Sequence, residues 1–205
     1  MAIKESSDDL SHPLVTPATE ARISRRHAAR DYLALAVATC GVGFIPVAPG
    51  TWGSLVGVGL YLALAHAAGS AFARASTGGP AQAAPQFQVM LTALLLVAIV
   101  AVSLAGTWAA TRAESLLRRK DPGAVVVDEV AGQLITFLFV PAGAGAWALM
   151  TGFVAFRVFD IWKPYPIRRL ERLESGLGVM ADDVLAGAYA ATVMSLLSAA
   201  RLFAF

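Results

Sequence analysis

Two adjacent pairs of carboxylates, Asp128-Glu129 and Asp182-Asp183, stand at the edges of apolar sequence. The first follows Val125-Val126-Val127 and the second precedes Val184, while a further acid, Asp160, closes the run Phe156-Arg157-Val158-Phe159. Carboxylates this close to apolar helices are costly and are usually paired, solvated in a cavity or bound to a cation. A helix cap would account for one Asp of the second pair, but a doublet exceeds that role. The same reading is weaker for Asp128-Glu129, which three β-branched residues precede. Oxygen ligands without a His or Cys cluster point to a hard cation, Mg²⁺ before Ca²⁺ or Mn²⁺. The three histidines, His12, His27 and His66, lie away from the acids, which argues against zinc.

Basic residues flank the same acids. Arg157 lies one helical turn before Asp160, Lys163 follows in Asp160-Ile161-Trp162-Lys163-Pro164-Tyr165-Pro166, and Arg168 lies just beyond. Point charges and guanidinium forks beside cation-binding carboxylates are what phosphate recognition requires. An interfacial aromatic belt at Trp162 and Tyr165, with bases facing anionic headgroups, accounts for Arg169 and Arg172 but not for Asp160 among them. Glu171 and Glu174, at helical spacing from Arg168 and Arg172, read as ordinary ion pairs on a solvated helix. A third element, Pro49-Gly50-Thr51-Trp52-Gly53-Ser54, precedes a long apolar run. Its backbone N–H groups and the Thr51 and Ser54 hydroxyls could meet an anion, although turns of this kind begin many helices.

The elements that must position these residues belong to a membrane. Of 205 residues, 57% are hydrophobic and 15% charged, against about 25% charged in a typical soluble domain. Apolar runs fall at about 33–48, 51–69, 88–111, 130–161 and 184–204. Those at 51–69, 88–111 and 184–204 reach the roughly 17–25 residues a spanning helix needs. Pro141-Ala142-Gly143-Ala144-Gly145 splits 130–161 into two helices, and the Gly-rich 33–48 run reads as a re-entrant or interfacial segment. The expectation is an all-α polytopic bundle of about five spanning helices. Residues 1–31 form a polar cytoplasmic tail, mostly disordered and helical near Glu20–Asp31, and 32–205 form one embedded domain.

Lys and Arg number five in residues 1–31, four in 112–124 and five in 157–178, but one in 70–87 and none in 141–145. The rule that positive connections stay inside puts the N-terminus and the 112–124 and 157–178 loops in the cytoplasm. All nine carboxylates after residue 31 then fall at the inner face: the five above with Glu114, Asp121, Glu171 and Glu174. Cys40, the single cysteine, excludes an internal disulfide and reads as a small buried hydrophobe. A formal charge of +2 without interleaved aromatics excludes a nucleic-acid partner.

These blocks resemble the phosphatidylglycerophosphatase A family. The likeness rests on Pro49–Ser54, Lys120-Asp121-Pro122-Gly123 with Val127-Asp128-Glu129 and Gly132, Phe156–Ile167, and Gly176-Leu177-Gly178-Val179-Met180-Ala181-Asp182-Asp183 with Ala186-Gly187. It covers roughly residues 40 to 190 in the family's order. The resemblance implies a Mg²⁺-dependent phosphatase of the bacterial inner membrane, converting phosphatidylglycerophosphate to phosphatidylglycerol in phospholipid synthesis among membrane lipids. In that reading Asp128, Glu129, Asp182 and Asp183 hold one or two Mg²⁺, with Asp160 and Glu114 as further ligand candidates. Lys163 and Arg157 bind the phosphate with the Gly50, Thr51 and Ser54 turn. Attack by water and an aspartyl-phosphate intermediate both remain open. The rival is an ion-coupled transporter, but its acids belong near the midplane of paired halves, and no repeat appears here.

Overall fold

The computed structural model describes residues 17–75, 80–170 and 173–200, with no statement on the side chains of 17–27, 75 and 80–82. Seven helices occupy them, and no strand occurs among the described residues: α1 (Pro17–Thr39), α2 (Pro49–Ala75), α3 (Pro80–Leu117), α4 (Val127–Thr136), α5 (Ala146–Trp162), α6 (Ile167–Leu170) and α7 (Ser175–Ala199).

Three helices are long and apolar enough to cross a membrane, at Pro49–Arg74, Ala83–Leu117 and Ser175–Ala199. Of the two helices expected from 130–161, α4 has 10 residues, too few to cross a membrane, and α5 has 17, at the lower end of the roughly 17–25 a span needs. Turns between them cut the run at the expected Pro-Gly stretch, with Gly143 at φ +95°. In the most apolar windows of α2 and α3 only 17% of residues are buried, against 56% in α7. Exposed Val97, Val100 and Leu104 on α3 suit a helix facing lipid.

α4 takes the opposite place. Eight of its ten residues are buried, and it packs against α7, α2 and α3. Small residues permit this approach. A Cβ on Gly187 of α7 would strike the carbonyl oxygen of Gly132 on α4, and one on Gly132 would strike the Phe156 ring and the Asp183 carbonyl. Backbones this close gain dispersion without needing a hydrophobic effect, the usual basis of helix association in lipid.

α1 runs through the boundary expected at residue 31, and residues 1–16 lie outside the described part. Its end packs on α3 through Ala38 against Ala109, Ala110 and Ala113, and Arg112 Nε meets Asp31 at 2.7 Å. Within 33–48 the helix stops at Thr39, because Cys40 (φ +47°) and Gly41 (φ +73°) turn left-handed. The Val126 N–H then donates to the Ala38 carbonyl at 2.8 Å, fixing the loop that feeds α4 to the end of α1.

Candidate active site

The N-termini of α2 and α4, the C-terminus of α5, the loop before α4 and the third turn of α7 meet around a cavity of about 280 Å³. Its walls carry Asp128 and Glu129, Arg157, Asp160 and Lys163, and Asp182 and Asp183, with Gly50 and Asp121 at the rim. Segments more than a hundred residues apart in sequence thus deliver the expected acids and bases to one place.

The two doublets do not cap helices. α7 begins at Ser175, so Asp182 and Asp183 lie two turns inside it, and its N-cap Glu174 makes no side-chain capping bond. Asp128 and Glu129 lie in the first turn of α4, where the helix dipole favours negative charge, again without a capping bond. Asp128, Asp182 and Asp183 are 8%, 6% and 4% exposed.

Within this cluster charge is divided unevenly. Arg157 Nη1 meets Asp160 Oδ2 at 2.6 Å, and Lys163 Nζ donates to Asp182 Oδ2 at 2.6 Å. Lys163 reaches across because it ends α5 in the left-handed conformation, φ +47°. The other oxygen of Asp182 accepts from the Asp183 backbone N–H at 3.1 Å. Asp128, Glu129 and Asp183 form no ion pair with Lys or Arg among the described residues, and one oxygen from each lies within 4.8 Å of the others. Asp128 Oδ1 and Glu129 Oε2 are buried without a hydrogen-bond partner. Crowded, buried carboxylate oxygens without partners are strongly unfavourable unless a proton or a cation joins them. The donor set, all oxygen and converging, fits a hard divalent ion.

The Gly50 turn serves the site by what it lacks. A Cβ there would collide with Glu129 Oε1 and come within 3.0 Å of Arg157 Nη1. Only glycine lets the start of α2 lie against both groups. The Thr51 N–H is already spent on the Ala48 carbonyl at 2.9 Å. Ser54, fully buried, donates to the Gly50 carbonyl at 2.9 Å and accepts from Arg157 Nη1 at 3.4 Å. Thr51 and Ser54 do not line the cavity, and Ser54 bears on it through Arg157.

Glu114 is not brought to the cluster. Its Oε1 accepts from the Asp121 N–H at 2.9 Å, and its side chain faces a separate, open cavity with Arg118, Arg119 and Lys120. Asp121, not among the expected site residues, reaches the cavity rim instead, at φ +45°. Its signal was its place in the Lys120–Gly123 block, five residues before the apolar stretch of Val126 and Val127. Glu174 stays outside the cluster, and Glu171 lies outside the described residues. Cys40 is half-buried, and burial, with Glu129's charge adding, pushes its thiol up to about 11, so it stays protonated and unreactive near neutral pH.

The sequence pattern of phosphatidylglycerophosphatase A matches residues 35–198, a span holding every residue of this cavity. The chain belongs to the phosphatidylglycerophosphatase A family. It is 35% identical over 155 residues to the phosphatidylglycerophosphatase A of Haemophilus influenzae, covering 75% of this chain and 81% of that one. A Bacteroides thetaiotaomicron protein, provisionally named a phosphatidylinositol-3-phosphatase, is 39% identical over 153 residues, 73% of this chain and 82% of its own. The Escherichia coli phosphatidylglycerophosphatase A is 41% identical over 75 residues, 36% of this chain and 43% of its own. No solved structure matches the chain. Family membership and helices fit for a bilayer together make it a membrane phosphatase.

Proposed function

We infer that the chain removes the terminal phosphate of phosphatidylglycerophosphate, yielding phosphatidylglycerol and inorganic phosphate, at the cytoplasmic face of a bacterial inner membrane. The observation that carries this reading is the juxtaposition of Asp128, Glu129 and Asp183, which form no ion pair with Lys or Arg among the described residues, with base-paired Asp160 and Asp182 around one cavity. The first set suits a metal ion and the second holds two bases ready for a phosphate.

Asp128, Glu129 and Asp183 would hold Mg²⁺, which when bound supplies Lewis-acid charge next to the phosphoryl oxygens. Arg157 keeps further N–H donors for a phosphate while Asp160 fixes its orientation, and Lys163, anchored by Asp182, presents an ammonium beside them. Asp182 and Asp160 thereby act through the bases they orient. A carboxylate oxygen of the cluster would take the proton of an attacking water. The P–O bond to the glycerol breaks, and that oxygen leaves as the hydroxyl of phosphatidylglycerol. Should Asp128 or Asp183 attack instead, a labelled phospho-enzyme would be trapped by acid quench; its absence favours water.

The lipids in the relatives' names share one chemistry: a phosphate monoester on a polyol that a phosphodiester joins to diacylglycerol. Phosphatidylglycerophosphate is the one we assign, on the family. The Lys and Arg distribution supports a cytoplasmic N-terminus and an inward-facing cavity. Phosphate release from phosphatidylglycerophosphate in mixed micelles, with Mg²⁺ and then excess EDTA, tests the assignment, with phosphatidylinositol 3-phosphate in parallel. Mg²⁺-dependent release from the first supports it. Release only from the second, or release undisturbed by EDTA, overturns it.

A further inference from the structure

A second cavity, of about 380 Å³, adjoins the first through a shared wall. Lys163 lines both: one side faces the carboxylates, the other a pocket made by Trp162, Pro164, Tyr165, Arg168 and Arg169. The reaction as assigned uses none of these five. Among the described residues the pocket holds no acid and neither arginine is paired with a carboxylate. Both guanidiniums are nevertheless held in place. Arg168 Nη2 donates to the Trp162 carbonyl at 3.3 Å, and Arg169 stacks over the Tyr165 ring, 4.8 Å from its centroid. The open cavity at Glu114 differs on each count: it is lined by Glu114 and Glu174 as well as bases, and by no aromatic residue.

The surroundings of the second pocket are those of a lipid headgroup. Trp162 and Tyr165, which line it, are 64% and 71% exposed, as is neighbouring Ile161 at 72%, so apolar and aromatic surface adjoins the exposed Arg168 and Arg169. Amphipathic rings of this kind settle at the boundary between acyl chains and headgroups. A fixed arginine pair at that level recognises phosphate oxygens.

We propose that Arg168 and Arg169 bind the phosphodiester of the substrate, the anionic group that survives the reaction, while the monoester lies beyond Lys163 among the carboxylates. This rests on the assignment of a phosphomonoester lipid substrate and extends it to the basis of selectivity. A lipid whose only phosphate is the monoester joined directly to diacylglycerol, phosphatidic acid, cannot fill both pockets. The protein then measures two phosphates separated by a polyol, and the second pocket sets which lipid is accepted.

Replacing both arginines (Arg168→Gln with Arg169→Gln) tests this in one detergent of fixed composition. Hydrolysis of phosphatidylglycerophosphate falls at least tenfold in kcat/KM, chiefly through KM, while hydrolysis of phosphatidic acid at its own lower rate is unchanged. The paired Lys variants, which keep charge but lose the fork, recover part of the loss. Equal losses on both lipids, or no loss on either, overturn the proposal; the first would mark the pair as a membrane anchor only. Binding of short-chain phosphatidylglycerol, which carries the diester alone, separates this claim from the assigned reaction. Wild-type protein binds it at least tenfold more tightly than the double Gln variant whether or not phosphatidylglycerophosphate is turned over. Equal affinities overturn the subsite even if the reaction stands, and the first assay on wild type alone judges the reaction.

Discussion

Six carboxylates line one cavity, and apart from Asp121 at its rim they keep different company. Asp160 and Asp182 each hold a base at 2.6 Å. Asp128, Glu129 and Asp183 lie together with no ion pair of their own among the described residues, although Asp160 adjoins Asp183 and Arg157 lies near Glu129, and two of the oxygens of Asp128 and Glu129 are buried and unpartnered. Burial does not distinguish them, since Asp160 and Asp182 are 9% and 6% exposed and Asp128 and Asp183 are 8% and 4%. The partner does. A buried acid with its own base is electrically complete and can hold that base in position, whereas crowded acids without an ion pair need a proton or a cation to be tolerable. The same residue type therefore sits in two electrostatic settings a few ångströms apart, and adjacent residues of one doublet, Asp182 and Asp183, fall on opposite sides of the division.

Substitutions can break or sharpen that division. The largest effect is expected at the acids without an ion pair among the described residues: Asp128→Asn or Asp183→Asn should lower turnover by on the order of 10²–10³-fold or more, with membrane insertion and helical content unchanged. Activity near wild type in either would remove that residue from the metal group. Asp160→Asn and Asp182→Asn should lose roughly 10–100-fold, as residues that orient a functional group do. Their loss should appear in KM as well as kcat, because what they free is a phosphate-binding base. An equal, purely kcat effect across all four variants would erase the distinction.

A smaller effect is expected at Gly50→Ala, where the new methyl meets Glu129 and Arg157 together. Displacement of these groups by a fraction of an ångström should lower activity about tenfold, measured against an unchanged melting temperature. Gln133 offers the contrast inside α4. It is fully buried and neither its Oε1 nor its Nε2 has a hydrogen-bond partner. An unsatisfied buried amide costs about 1–3 kcal/mol, so Gln133→Met should leave thermal stability unchanged or raise it. A marked fall in melting temperature would show that the amide is bonded in the working protein. Last, Glu174→Gln, outside the cavity, should leave phosphate release unaltered.

Much of this was legible in the chain itself. Asp128, Glu129, Asp160, Asp182 and Asp183 betrayed themselves as charges set against apolar helices, where nothing but pairing or a cation makes them tolerable. Pro141 to Gly145 marked the break between α4 and α5 because such residues cannot continue a helix. Other features depended on three-dimensional approach. Which acid pairs with Lys163 is decided by the left-handed turn that ends α5, and no spacing in one dimension reveals it. Glu114 looked equivalent to the other inner-face acids, but α3 directs it to the Asp121 backbone. The turn at Gly50 suggested donors for an anion, and what only the fold reveals is a steric need as well, the absence of a side chain beside Glu129 and Arg157. α4 read as part of a span because apolar sequence says only that water is excluded; packing against α2, α3 and α7 excludes it as well as lipid does, whereas α5 keeps exposed Trp147, Met150, Val154 and Ile161 that suit lipid.

The central claim is that the cation belongs to Asp128, Glu129 and Asp183 and not to the base-paired acids. Mn²⁺, which shares the preference of Mg²⁺ for oxygen ligands, reports on this through its paramagnetic resonance when titrated into the purified protein in detergent. The account predicts stoichiometric binding by wild type and by Asp182→Asn, and loss of that binding in Asp183→Asn. Loss in Asp182→Asn with retention in Asp183→Asn, or retention in both, would contradict it.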